Sequence, residues 1–192
     1  MKTVKYNSAS ELVIKNSKFI TLLFNIDKDF DIDNVFSDIK VQYPKATHYC
    51  YAYIIDNIKK CSDDGEPGGT AGMPMLNVLE KENMINTLAI TIRYFGGIKL
   101  GAGGLVRAYS KSVKQALDEA NIVEVDKGFL VRITTSYDEQ KSIEYLLRKY
   151  TILNKEYHLD VVYDVLLPKD SLDIISNYNY EVVDERYIEK VL

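Results

Sequence analysis

The 192-residue chain is 46% hydrophobic and 27% charged, with a formal net charge of −4 at pH 7. No apolar run approaches the roughly 20 residues that cross a bilayer, and the opening MKTVKYNSAS lacks the apolar block of a secretory signal. An acidic balance argues against a protein that coats nucleic acid over its whole surface. The expectation is a globular cytoplasmic protein of one large or two small domains, with no membrane partner. Cys50 and Cys61 are expected as free thiols, because two cysteines at this spacing neither pair for a metal nor staple a fold.

In chain order, two β-rich runs between Thr3 and Ile26 break at Asn16-Ser17 and predict an antiparallel hairpin. Phe30, Val35, Phe36 and Ile39 share a helical stripe that Pro44 ends. THYCYAYII then alternates as a strand, with His48, Cys50, Ala52 and Ile54 on one face and Tyr49, Tyr51, Tyr53 and Ile55 on the other. After the acidic loop SDDGEPGGTAG, Pro74 suits the first turn of a short helix carrying Met75, Leu76 and Leu79 inward. NTLAITIRYF is a β-branched strand that runs into FGGIKLGAGG, and from Gly104 the pattern becomes helical. Near Val125 to Gly128 the composition changes. The remainder gives the order β-α-β-β-α-β, with its second helix over SLDIISNY, which is the split, ferredoxin-like order. The fold class expected is α+β, with domains at 1–125 and 126–192.

Nine of the ten glycines fall between Gly65 and Gly104. Between Asn83 and Leu117 there is no Asp or Glu, while Arg93, Lys99, Arg107, Lys111 and Lys114 are all basic. A basic island in an acidic protein points to a negatively charged partner. A glycine loop that opens a helix leaves backbone N–H groups unpaired at the positive end of its dipole, a ready site for an anion. Arg93, Lys99, Gly101, Gly103, Gly104, Arg107 and Lys111 are therefore the candidate anion or nucleic-acid contacts. The alternative is that the glycines only allow helix and sheet to pack closely. No GK[ST] follows them and GAGGLV does not complete a dinucleotide fingerprint.

Asp63, Asp64 and Glu66, with Thr70 behind them, form a loop open to three readings. It is an exposed turn, for which D-D-G-E-P is good chemistry. It is an ordering device, whose carboxylates fold back on Arg93 or Lys99. Or it holds Mg²⁺ or supplies an acid and a base. No catalytic residue, metal or cofactor is assigned. His48 and Cys50 share a strand face, which raises a thiol–imidazole nucleophile against the plainer reading of a buried cysteine. Tyr94, Phe95 and Tyr109 either stack with bases or pack in the core.

THYCYAYI, SDDGEPGGTAGMPMLNVL and RYFGGIKLGAGGLVRAYS, in that order, resemble the IMPACT/YigZ family over nearly the whole chain. Gly68 and Met73 depart from that pattern, where Ser or Ala and a polar or basic residue are expected. The resemblance implies an N-terminal domain like the second domain of ribosomal protein S5, a fold shared with domain IV of elongation factor G. It implies a C-terminal domain like domain V of that factor. It further implies binding to RNA or to a ribosome or translation component, with a role in translation regulation; the acid-free basic window and the helix-end glycines make a non-enzymatic protein the leading expectation. An enzyme acting on a small phosphorylated or acyl substrate and an adaptor with a protein partner are the alternatives.

Overall fold

Strands apolar on both faces need cover on both sides, and the first unit of the chain provides it. The computed structural model describes residues 1–190, and the chain divides into Met1–Val123 and Glu124–Leu192. The first unit contains β1 (Lys2–Val4), β2 (Ser8–Ile14), β3 (Ser17–Asn25), α1 (Ile32–Gln42), β4 (His48–Ile55), β5 (Ile58–Ser62), α2 (Gly72–Lys81), β6 (Thr87–Tyr94) and α3 (Ala102–Glu119). Strands β2-β3-β6-β4-β5 form an antiparallel sheet in that order.

One face of this sheet presents Leu22, Leu88, Ile90, Ile92, Tyr53 and Ile55, which pack with Ile39, Val35 and Phe36 of α1. The other face presents Phe19, Thr21, Cys50, Thr91 and Arg93, all buried. Helices α2 and α3 cover that second face. Phe19 meets Tyr109 of α3 edge to face at 5.2 Å between ring centres, and Thr21 Oγ1 lies 2.8 Å from Thr91 Oγ1 and 2.6 Å from Ser112 Oγ. Three buried hydroxyls thus satisfy one another where apolar contact alone would leave polar atoms stranded.

The hairpin between β2 and β3 turns one residue earlier than the sequence predicts. Lys15 and Asn16 take φ of 45° and 65°, the two positive values that match a two-residue turn to the strand twist. Helix α3 likewise begins at Ala102, two residues before the expected start, because Gly103 and Gly104 follow the helical path once Gly101 has turned the chain at φ 71°.

The second unit holds most of β7 (Ile122–Thr135), then α4 (Gln140–Leu147), β8 (Thr151–Tyr157), β9 (Val161–Pro168) and β10 (Asn179–Glu189). Its strands lie in the order β10-β7-β9-β8, each antiparallel to its neighbour. Val131, Ile133, Tyr163 and Val165 pack against Ile143 and Leu147 of α4. A 3₁₀ helix at Lys169–Ile175 stands where an α-helix over SLDIISNY is expected. That stretch follows Pro168, and only Ile175 within the 3₁₀ helix is buried, too little apolar face to hold a longer helix down.

Candidate anion-binding site

The acidic loop is ordered by its own carboxylates. Asp63 accepts from the backbone N–H groups of Gly69, Ala71 and Gly72 at 2.8, 2.9 and 2.8 Å, so it occupies the N-terminus of α2, whose own cap residue Ala71 offers no side-chain acceptor. Burial pulls the Asp63 carboxyl upward, but these three donors outweigh it and hold the group below its ordinary value. Asp64 accepts from the Tyr49 N–H through Oδ2 at 2.6 Å. Thr70, buried, donates to the Pro67 carbonyl at 2.7 Å.

Glu66 turns the other way, into the sheet. Its Oε1 accepts from Arg93 at 2.6 Å and from the Tyr109 hydroxyl at 2.8 Å, and the Glu66 and Arg93 side chains are only 3% and 6% exposed. Arg93 also donates to Ser17 Oγ at 3.4 Å, and its guanidinium carbon lies 5.5 Å from the Phe19 ring centre and 5.6 Å from that of Phe95. Its buried Nε has no hydrogen-bond partner. Arg93, expected from sequence among open phosphate contacts, is thus a buried cation that ties the acidic loop to β6.

Next to this pair opens a cavity of about 390 Å³, whose lining includes His48, Glu66, Arg93, Phe95, Lys99, Gly101 and Ala102. The N-terminus of α3 faces it without any side-chain cap. The first helical hydrogen bond runs from Leu105 N to Gly101 O, so the amides before Leu105 have no carbonyl within the helix. Acid-filled α2 and uncapped α3 therefore differ: a carboxylate takes the first amides of α2, and no side chain takes those of α3. Lys99, Phe95 and Gly103 are exposed there. Gly104 is half-buried in the first turn of α3, where a Cβ would stand 3.1 Å from that of Leu100, a packing role. Arg107 lies against the same turn, one nitrogen 3.7 Å from where a Cβ of Gly103 would stand.

Lys111, one turn further on, belongs to a separate groove of about 520 Å³ whose lining includes Lys81, Glu82, Arg107, Lys111 and Lys114. Lys114 is engaged by Glu82 and Asp118; among the described residues no carboxylate pairs with Lys99, Arg107 or Lys111. The five basic residues so divide into one buried, one at the cavity mouth, a pair along α3 and Lys114, held by carboxylates.

Sequence comparisons place the chain among known proteins. The profile of the Impact N-terminal domain matches residues 15–117. The chain belongs to the IMPACT family. It is 40% identical to the IMPACT family member YvyE of Bacillus subtilis strain 168 over 187 residues, covering 95% of this chain and 86% of that one. It is 36% identical to the IMPACT family member YigZ of Escherichia coli strain K12 over 162 residues, covering 81% and 79%. A solved structure described as a hypothetical protein superposes with a TM-score of 0.68 at 29% identity, covering 95% of this chain and 97% of that one.

In this IMPACT family member no hydrogen bond joins His48 to Cys50. The Cys50 thiol lies 3.0 Å from the Asp63 carbonyl and 3.3 Å from the Tyr109 hydroxyl. Burial above all pushes it up to about 12; the Tyr109 hydrogen bond lowers it, and the Glu66 charge raises it further. Tyr109 is raised as well, first by burial and then by Cys50 and Glu66. Cys50 is accordingly a packing residue with little thiolate. In native protein treated with iodoacetamide at pH 8, mass spectrometry should find Cys61 alkylated well before Cys50, and Cys50 labelled readily only after unfolding. Of the three aromatic residues considered for base stacking, Tyr94 packs on the α1 face, Tyr109 is buried and Phe95 alone is exposed beside the cavity.

What sequence reasoning missed is the facing of His48 and Glu66, whose Nε2 and Oε2 are 3.8 Å apart. Spacing gives no signal for it, since it depends on the turn at Gly65 laying the loop over β4.

Proposed function

We propose that this protein binds single-stranded RNA, free or displayed on a ribosome or translation component, by seating a backbone phosphate at the N-terminus of α3. The observation that carries the reading is the uncapped α3 terminus facing a 390 Å³ cavity with an exposed cation, Lys99, and an exposed ring, Phe95, at its mouth. Helix-end amides bind phosphate without sequence preference, and an exposed ring gives a neighbouring base a stacking surface. Arg107 and Lys111 then continue the track along α3 toward the second groove. The β-α-β-β-helix-β order of the second unit supports a ferredoxin-like domain, and the S5-like assignment of the first unit rests on the family resemblance. A role in translation regulation follows from the same resemblance.

The test is fluorescence anisotropy with a labelled single-stranded RNA at 50 and 200 mM salt. Affinity is expected to fall with salt as counterions are released. Arg107→Glu/Lys111→Glu should weaken binding by at least about 10-fold and flatten the salt dependence by about 1 per lost phosphate contact. Both residues are exposed, so the variant should keep its circular dichroism spectrum, and an unchanged affinity would overturn the reading.

A further inference from the structure

Phosphate binding at α3 leaves His48 in the cavity wall without a task, and beside it stands the free oxygen of Glu66, whose other oxygen is held by Arg93 and Tyr109. The His48 ring is fixed at one end, its Nδ1 lying 2.7 Å from the Asp64 carbonyl. A carbonyl only accepts, so Nδ1 carries the hydrogen, and in the neutral ring Nε2 keeps its lone pair. Gly65 backs the ring: a Cβ there would stand 3.6 Å from Nδ1. Nε2 lies 3.8 Å from Glu66 Oε2, beyond hydrogen-bond distance, and that carboxylate is immobilised through its other oxygen by Arg93 and Tyr109. A base of known orientation thus stands in the cavity with a fixed carboxylate beside it to stabilise the imidazolium formed when it takes a proton.

The cavity offers this base no good nucleophile of its own. Cys50 is turned into the core toward Asp63 and Tyr109, and the Thr47 hydroxyl oxygen is engaged by the Phe95 N–H at 3.0 Å. The nucleophile must arrive with the ligand. RNA carries one beside every phosphate, the ribose 2′-hydroxyl.

We propose that the cavity cleaves the RNA it binds, with His48 Nε2 as the general base that deprotonates the 2′-hydroxyl next to a phosphate seated on α3; this rests on the RNA-binding reading above. The O2′–P bond forms as the P–O5′ bond breaks. The 2′-hydroxyl proton passes to His48 Nε2, the departing 5′ oxygen takes a proton from water, and protonated His48 neutralises the hydroxide left behind. The products are a 2′,3′-cyclic phosphate and a 5′-hydroxyl end, with no change of oxidation state. The α3 amides and Lys99 face the charge that grows on the phosphoryl oxygens.

The experiment incubates the whole protein with end-labelled single-stranded RNA, and with DNA of the same sequence, in EDTA, and follows products on a denaturing gel and by mass spectrometry. The expected result is RNA cut to 2′,3′-cyclic phosphate ends and DNA left intact. His48→Asn, whose amide can still donate to the Asp64 carbonyl, should lower the cleavage rate about 100-fold while RNA affinity by anisotropy stays within about twofold of wild type, the ring being the base and not a phosphate anchor. RNA bound but uncut overturns this inference and leaves the binding reading standing. Cleavage undiminished in His48→Asn marks a contaminating nuclease and overturns it too. RNA neither bound nor cut overturns both.

Discussion

Arg93→Met is expected to destabilise the first unit by about 3–5 kcal/mol, the range for removing one partner of a buried ion pair. The size follows from what is left behind. Glu66, with a side chain 3% exposed, would keep the Tyr109 hydroxyl at 2.8 Å and the His48 imidazole at 3.8 Å as its neighbours, too few to offset its buried charge. The cost then concerns the orphaned charge more than the lost attraction, which gives a second measurement. Arg93→Met/Glu66→Gln removes both charges and leaves an amide oxygen to accept from Tyr109, so the double variant should be more stable than Arg93→Met alone. Hydrogen exchange of the β6 amides, in the middle of the sheet, reads both values. If Arg93→Met stays within about 1 kcal/mol of wild type, the pair is not the anchor described. Loss of that anchor should also loosen the loop around Glu66, and with it the cavity wall that Glu66 supplies, while Asp63 keeps its hold on the start of α2.

That anchor was only half visible in the residues. A carboxylate loop folding back on a basic strand follows from charge alone, but three acids were available, and nothing in D-D-G-E-P says which one goes in. The fold decides by direction. Asp64 takes φ 41° and Gly65 φ 81°, which points Asp63 at the α2 amides and swings Glu66 toward Arg93. The strands and helices were more legible, because α1 and α3 each bury a face at helical spacing and β6 is a continuous apolar, β-branched run buried on both faces. Strand β5 was not, since Ile58, Lys59 and Lys60 are exposed on an edge and such a strand carries no apolar alternation. In the basic island, composition could mark Arg93, Lys99, Arg107 and Lys111 as a group. Only the pairing of Arg93 with both Phe19 and His48 across β3, β6 and β4 shows that it faces inward while the other three face out.

Gly96→Ala should be among the most damaging single-atom additions this chain can receive. A Cβ at Gly96 would stand 2.0 Å from the carbonyl carbon and 2.1 Å from the oxygen of Asn16, and 2.4 Å from Ser17 N. These are backbone atoms of the tight β2–β3 turn, which cannot swing aside as a side chain would. Relief requires moving the turn off the loop, breaking the hydrogen bond from Gly96 N to Ser17 Oγ at 3.2 Å and loosening the same oxygen's contact with Arg93. A loss of about 3 kcal/mol or more is expected, above the usual range for overpacking, and a fall in melting temperature of roughly 6–12 °C for a chain of this length. Gly97→Ala is the control. At Gly97 a Cβ meets nothing within 4 Å, although φ is 83°, so only the cost of a left-handed backbone remains, about 1–2 kcal/mol. Thermal unfolding of the two variants separates the causes. A deficit clearly larger at position 96 shows that the first glycine of FGGIKL is there for close approach, and equal deficits would show that both serve only the turn into α3.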